Sequence, residues 1–215
     1  MDGVTLHDRI LKGRAKAALH IGMSCDVYRP SSASAPLGTH VTTLKAAFNA
    51  RDPGYTKPNL YGNPVWYADL DGRQTQEGDY LVRQSDSATW FIAAQQQLLP
   101  IVAVACDRSV KVQRQPAAST VGAVGYGGLT APADVLGSDA HRWPAAIFMG
   151  GRALNGSGLP AGVKEGGWKI LLPPSVPITL LAGDLVHDDL GRRYAVESAE
   201  LTDLGWRLTA NDAHA

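Results

Sequence analysis

The stretch Gly78-Asp79-Tyr80-Leu81-Val82, followed by Thr89-Trp90-Phe91-Ile92-Ala93-Ala94 and Val102-Ala103-Val104-Ala105-Cys106-Asp107, decides the fold, because the chain uses that order twice. The second use reads Gly183-Asp184-Leu185-Val186, then Arg192-Arg193-Tyr194-Ala195-Val196-Glu197-Ser198-Ala199, then Trp206-Arg207-Leu208-Thr209-Ala210-Asn211. Short apolar runs bounded by Gly and Asp read as strands and turns. Gly supplies the positive φ of a tight turn, and Asp caps that turn through its side chain before the strand begins. Upstream, Ala46-Ala47-Phe48-Asn49 and Val65-Trp66-Tyr67-Ala68-Asp69-Leu70 find partners in Ala145-Ala146-Ile147-Phe148 and Gly167-Trp168-Lys169-Ile170-Leu171-Leu172. Each unit reads strand, strand, Gly-Asp turn, strand, aromatic strand, loop, final strand: an internal repeat, or two small β domains alike by chance. Five or six short antiparallel strands with an inward aromatic close into a small barrel, which removes exposed edges.

Working outward, the remaining strand signals are Asp26–Tyr28, Val41–Asn49, Val110–Arg114, Trp143–Met149 and Ile178–Leu180. A helix is expected over residues 5–22, where Leu6, Ile10, Ala17 and Ile21 fall within about 60° of one another. Thr5 and Asp8 resemble a capping box, and Gly22 ends the helix. Arg9, Lys12, Lys16 and His20 line the opposite side, a solvated face or a docking face for an acidic partner. Between Gln115 and Ala140 no periodicity survives, and Gly122-Ala123-Val124-Gly125-Tyr126-Gly127-Gly128 reads as part of a flexible arm. The expected fold is mainly β: two small antiparallel β-barrels, an N-terminal amphipathic helix and a Gly-rich connecting arm. The expected boundaries are 1–23 for the helix, 24–116 for the first barrel, 117–140 for the arm and 141–215 for the second barrel.

Composition agrees. The 215 residues carry 45% hydrophobic side chains, with Gly (23) and Pro (13) in excess, as many turns between short strands require. Lys plus Arg and Asp plus Glu are 20 each, so the strongly basic footprint of a dedicated nucleic-acid or membrane binder is missing. Two cysteines, Cys25 and Cys106, make no disulfide scaffold. Neither a leader pattern nor a run of eighteen apolar residues is seen, so the expectation is a reduced chain that neither spans a membrane nor is secreted through a leader.

Chemistry-bearing patterns are sparse. His187-Asp188-Asp189 has metal-ligand character, yet Asp188-Asp189-Leu190-Gly191 is also a natural hairpin turn and no second cluster completes a ligand set. Asp139 and His141 lack a nucleophile elbow. The Gly122–Gly128 run lacks the Lys-Ser/Thr of a phosphate loop. Trp66, Tyr67, Trp90, Phe91, Trp168, Tyr194 and Trp206 suit either a core or a base-stacking platform. No catalytic residue, cofactor, metal or small-molecule substrate is assigned.

The opening Asp2-Gly3-Val4-Thr5-Leu6-His7-Asp8-Arg9, the segment Val27-Tyr28-Arg29-Pro30 and the loop Lys57-Pro58-Asn59-Leu60-Tyr61-Gly62 carry a resemblance. So does the closing run Gly183-Asp184-Leu185-Val186, Asp189-Leu190-Gly191-Arg192-Arg193-Tyr194 and Glu200-Leu201-Thr202-Asp203-Leu204-Gly205-Trp206-Arg207-Leu208-Thr209. Over nearly the whole chain these residues resemble a family of tailed-phage and prophage virion proteins. The order Gly-Asp, turn, Arg-Tyr-x-Val, turn, final strand is similar to the small barrels of head-closure and head–tail adaptor proteins. That resemblance implies a non-enzymatic, ring-forming component of the neck, placed in the virion and assembled in the host cytoplasm. Its implied partners are copies of itself and portal, neck or tail proteins, with passing contact to DNA in the channel. This chain departs from single-barrel adaptors by carrying two barrels. The other readings are a nucleic-acid-binding module with OB-like barrels, capsid decoration, a tail hub and an accessory hydrolase. Charge supports a head-to-tail contact, since the first helix is basic and the segment from Gly183 is acidic. Arg9, Lys12, Lys16, Tyr126, Asp188 and Asp189 are the expected interface residues.

Overall fold

The computed structural model describes residues 2–49, 63–115, 132–150 and 167–213. Helix α1 (Gly3–Ile21) leads into six strands: β1 (Met23–Arg29), β2 (Thr39–Asn49), β3 (Val65–Asp69), β4 (Tyr80–Arg83), β5 (Thr89–Ala94) and β6 (Ile101–Cys106). They close as an antiparallel barrel in the order β1-β2-β3-β6-β5-β4. Seven more follow: β7 (Arg108–Arg114), β8 (Ala133–Leu136), β9 (Trp143–Met149), β10 (Trp168–Leu172), β11 (Leu185–Asp188), β12 (Arg193–Thr202) and β13 (Gly205–Asp212). Their order is β11-β12-β13-β10-β9-β7-β8, and a further pairing of β11 with β7 closes this sheet as well.

The two barrels share one register. Tyr28 opposes Tyr80 where Gln113 opposes Leu185; Leu81 opposes Trp90 where Val186 opposes Tyr194; Trp66 opposes Ala103 where Trp168 opposes Ala210. Even the irregularities coincide: one lies between Ile92 and Ala94 and at Val196/Ser198, the other at Val27/Tyr28 and at Val112/Gln113. Bulges re-aim strands at barrel corners, so both copies turn at the same places. The long β2 corresponds to β8 and β9 together, interrupted at residues 137–142. In the last strand Ile101 matches Leu208, three positions along from a direct overlay of Val102 on Trp206.

The Gly-Asp pairs stand at equivalent corners. Gly78 (φ 87°) and Gly183 (φ 89°) are left-handed. The Gly78 N–H donates to Ile92 O and the Gly183 N–H to Val196 O, each at 2.8 Å. Asp79 and Asp184 are buried. Arg29 grips Asp79 with two bonds of 2.8 Å, and Arg114 grips Asp184 with bonds of 2.7 and 2.8 Å. Each carboxylate also accepts a backbone N–H three residues upstream, from Gln76 at 3.0 Å and Leu181 at 2.8 Å. A bidentate guanidinium with a further donor compensates a carboxylate withdrawn from water.

Alternation fills the cores. Cys25, Val27, Leu44, Ala46, Ala68, Leu81, Trp90, Ile92 and Ala103 point into the first barrel. Tyr80, Phe91 and Val104 point out and are buried in one cluster with the core of the second barrel. There Tyr80 Oη donates to Pro144 O at 2.9 Å, and its ring meets Trp143 edge to face. Trp143 Nε1 donates to Ala33 O at 2.7 Å. The barrels are therefore packed on one another.

Several expectations change. The first barrel ends at Cys106: β7 pairs only within the second barrel, which moves the boundary from 116 to Asp107. The expected arm, 117–140, contains β8 at its end; residues 116–131, Tyr126 among them, lie outside the described residues. Ile178–Leu180 is not a strand; it belongs to the stretch leading to the Gly183 corner. Asp2 rather than Thr5 caps α1, its carboxylate accepting the Thr5 N–H at 2.7 Å.

Gly78 and Gly183 differ in one respect. A Cβ on Gly78 would lie 2.4 Å from Ser175 Cβ, whereas one on Gly183 meets nothing. Gly183→Ala should cost about 1–2 kcal/mol from its left-handed backbone alone. Gly78→Ala should cost a further 1–3 kcal/mol or so from overpacking between the barrels. Urea denaturation of both variants checks the order; equal losses would show that the Ser175 contact yields freely.

Candidate partner-binding surface

Helix α1 carries two apolar strips. Leu11 and Ala18 form one; Leu6, Ile10, Ala17 and Ile21 form the other, roughly 90° away at 100° per residue. Arg14 lies between them, and its Nη1 donates to Asp69 Oδ1 at 2.8 Å, a pair about four-fifths buried on β3. Asn49 holds the second oxygen of Asp69 at 3.1 Å. That ion pair fixes the roll of the helix: Leu11 and Ala18 go in. The strip of Leu6, Ile10, Ala17 and Ile21 is on the flank, with Ile10 half-buried and Leu6 42% and Ile21 64% exposed. At the far end Gly22 passes close to β2, where a Cβ would lie 2.9 Å from the backbone carbonyl of Ala46.

Arg9, Lys12, Lys16 and His20 are exposed on the side away from the barrel, as their spacing predicts. Lys12 pairs with Asp8 at 2.6 Å across one turn, a contact of little energetic weight at that exposure.

The acidic segment is another matter. Asp184 is occupied by Arg114. Asp188, expected at an interface, is turned inward and 1% exposed. Its Oδ1 accepts the N–H groups of Leu190 and Arg192 at 2.9 and 2.8 Å, and its Oδ2 the hydroxyl of Tyr194 at 3.1 Å. It braces the β11–β12 hairpin, whose turn uses Gly191 at φ 81°. Asp189 is exposed, with the Ser109 N–H at 3.4 Å from its Oδ1. The other solvent-facing acids of the segment are Glu197, Glu200, Asp203 and Asp212, of which Glu200 binds Arg207 and Glu197 binds Asn211.

His187 and Asp188 fall on opposite faces of β11, so the His-Asp-Asp run does not converge. Among the described residues no group of three His, Cys, Asp or Glu side chains is placed to hold a metal. Asp139 is engaged by Lys111 and Arg142, both at 2.9 Å. Burial pushes the Cys25 thiol up to about 11. Trp90, Phe91, Tyr194 and Trp206 are buried; Trp90 stacks on Phe48 with centroids 3.9 Å apart, so these rings serve packing. An apolar cavity of about 270 Å³ remains between the barrels, lined by Val65, Val102, Val104, Leu171 and Trp206 and roofed by the β12–β13 turn.

Missed by the sequence reading were the two arginines of the Gly-Asp corners. The signal was present as Val27-x-Arg29 and Val112-x-Arg114, each closing the strand that pairs with the one after its Gly-Asp. No family model, curated protein or solved structure matches the chain. No described helix is long and apolar enough to cross a membrane.

His187 supplies a pH test. Burial first, then the neighbouring Arg193, Lys111 and Arg142, holds its imidazole below the usual value. The unfolded chain takes up the proton near pH 6.5 while the folded chain still resists it. Stability is therefore full above that pH and falls as the pH drops through 6.5 toward the folded value. Denaturant titrations at pH 7.5 and 5.5 should show this loss in the wild type and a smaller one in His187→Gln; parallel losses would assign the effect elsewhere.

Proposed function

We propose that this protein is a non-enzymatic structural subunit that assembles into a ring at the head-to-tail interface of a tailed-phage virion. One observation carries the reading: a body of two interlocked barrels leaves an apolar strip of α1, bordered by a basic face, turned to solvent rather than to its own core. A contiguous apolar surface rimmed by charge suits a protein partner. Rigid modules of this kind suit a ring, where each subunit presents one surface forward and another back. The likeness of the Gly-Asp corner and the following Arg-Tyr strand to head-closure and adaptor barrels supplies the station. Burial of Trp90, Phe91, Tyr194 and Trp206 weighs against a base-stacking platform.

Light scattering on the purified chain over a range of concentrations should give a closed oligomer of fixed mass. Particles made without the protein should leak DNA or fail to join tails. A chain that stays monomeric at high concentration, together with particles that keep their DNA and attach tails without it, would overturn the reading. Immuno-labelling on the capsid shell would move the protein to a decorating role.

A further inference from the structure

We propose that the outer flank of α1 receives the β12–β13 turn of a second copy of this chain; this rests on the ring-forming reading above. The turn is rigid: Gly205 takes φ 95°, Thr202 Oγ1 donates to Gly205 O at 2.8 Å, and the Leu204 N–H lies 3.2 Å from Thr202 Oγ1. At its tip Leu201 (56% exposed) and Leu204 (42%, its inner side toward the cavity between the barrels) stand beside the exposed Asp203, while the nearby Glu200 is paired with Arg207. An apolar pair rimmed by acid thus matches the strip of Leu6, Ile10, Ala17 and Ile21 rimmed by Lys16 and His20. Charge rims of opposite sign fix orientation and speed encounter, while the apolar centre supplies affinity.

The repeat explains why a neighbour does not copy the contact inside the chain. In the second barrel Ala146 and Leu171 lie under the first barrel; their equivalents Ala47 and Asp69 lie under α1. The helix therefore occupies the seat that a preceding barrel would take. At the other end, the positions equivalent to Tyr80, Phe91 and Val104 are Leu185, Ala195 and Asn211, only half-buried and partly polar. Stacking barrel on barrel is closed at both ends, in the manner of capped repeats, and the next copy must use another pair of surfaces. Helix flank against turn is such a pair, with unlike patches on each side, the kind that generates rings.

The test uses the full chain and light scattering, with circular dichroism as a folding control. Ile21→Asp on the helix and Leu201→Asp by the turn sit at exposed positions outside the cavity between the barrels, and each should weaken association at least tenfold. Mixing the two variants should yield a one-to-one dimer, because one intact helix flank and one intact turn remain between them. Lys16→Glu should weaken association, and adding Asp203→Lys should restore it. Oligomers indifferent to all four changes would overturn this contact and leave the ring standing. A wild-type chain that never associates would overturn both.

Discussion

A carboxylate removed from water must be neutralised where it sits, and each barrel closes around one. Asp79 and Asp184 are needed at the corners because their side chains hold the turn that the preceding left-handed glycine makes. Once buried, each must meet a guanidinium, which only the end of the strand paired alongside can offer. The grip of Arg29 on Asp79, and of Arg114 on Asp184, ties the first strand of each barrel to the strand after the corner. That pairing, β1 with β4 and β7 with β11, is what closes the sheet. Removing one partner of such a pair leaves an unpaired buried charge, worth several kcal/mol, so the corner constrains register and closure together.

The two copies diverge where they meet different neighbours. The outer side of β2 and β3 takes a helix in the first barrel, and an ion pair, Arg14 with Asp69, holds it. The matching side of β9 and β10 takes a whole barrel and is apolar, with Ala146 and Leu171 in place of Ala47 and Asp69. Conversely, Tyr80, Phe91 and Val104 are large and buried because a barrel covers them, while Leu185, Ala195 and Asn211 face outward. The duplicated backbone is thus made into one body by side chains on one face of each unit.

Charge reads differently in three dimensions. The acidic residues from Gly183 onward suggest a negative surface, yet Asp184 and Asp188 are consumed inside, one by Arg114 and one by backbone N–H groups and Tyr194. What remains outside is spread along the hairpins: Asp189 at the β11–β12 turn, Glu200 and Asp203 by the β12–β13 turn, and Glu197 and Asp212 toward the far end of those strands. The basic residues of α1 behave as their spacing indicates, since a helix face with Arg9, Lys12, Lys16 and His20 has no low-cost way to be buried.

The amino-acid sequence by itself determined most of the strands, β8 and the stretch at Ile178–Leu180 excepted, together with the Gly-Asp turns and the order in which the unit repeats, because alternation, glycine at a left-handed corner and an aspartate cap act over a few residues. It also determined which side of α1 faces water. Only the tertiary structure decided which of the helix's two apolar strips turned inward, because that choice hangs on Asp69, more than fifty residues from Arg14. It likewise decided that β7 belongs to the second barrel and that Asp188 is internal. Strand partnership and the burial of a charge depend on what arrives from elsewhere in the chain, and a local pattern carries no information about that.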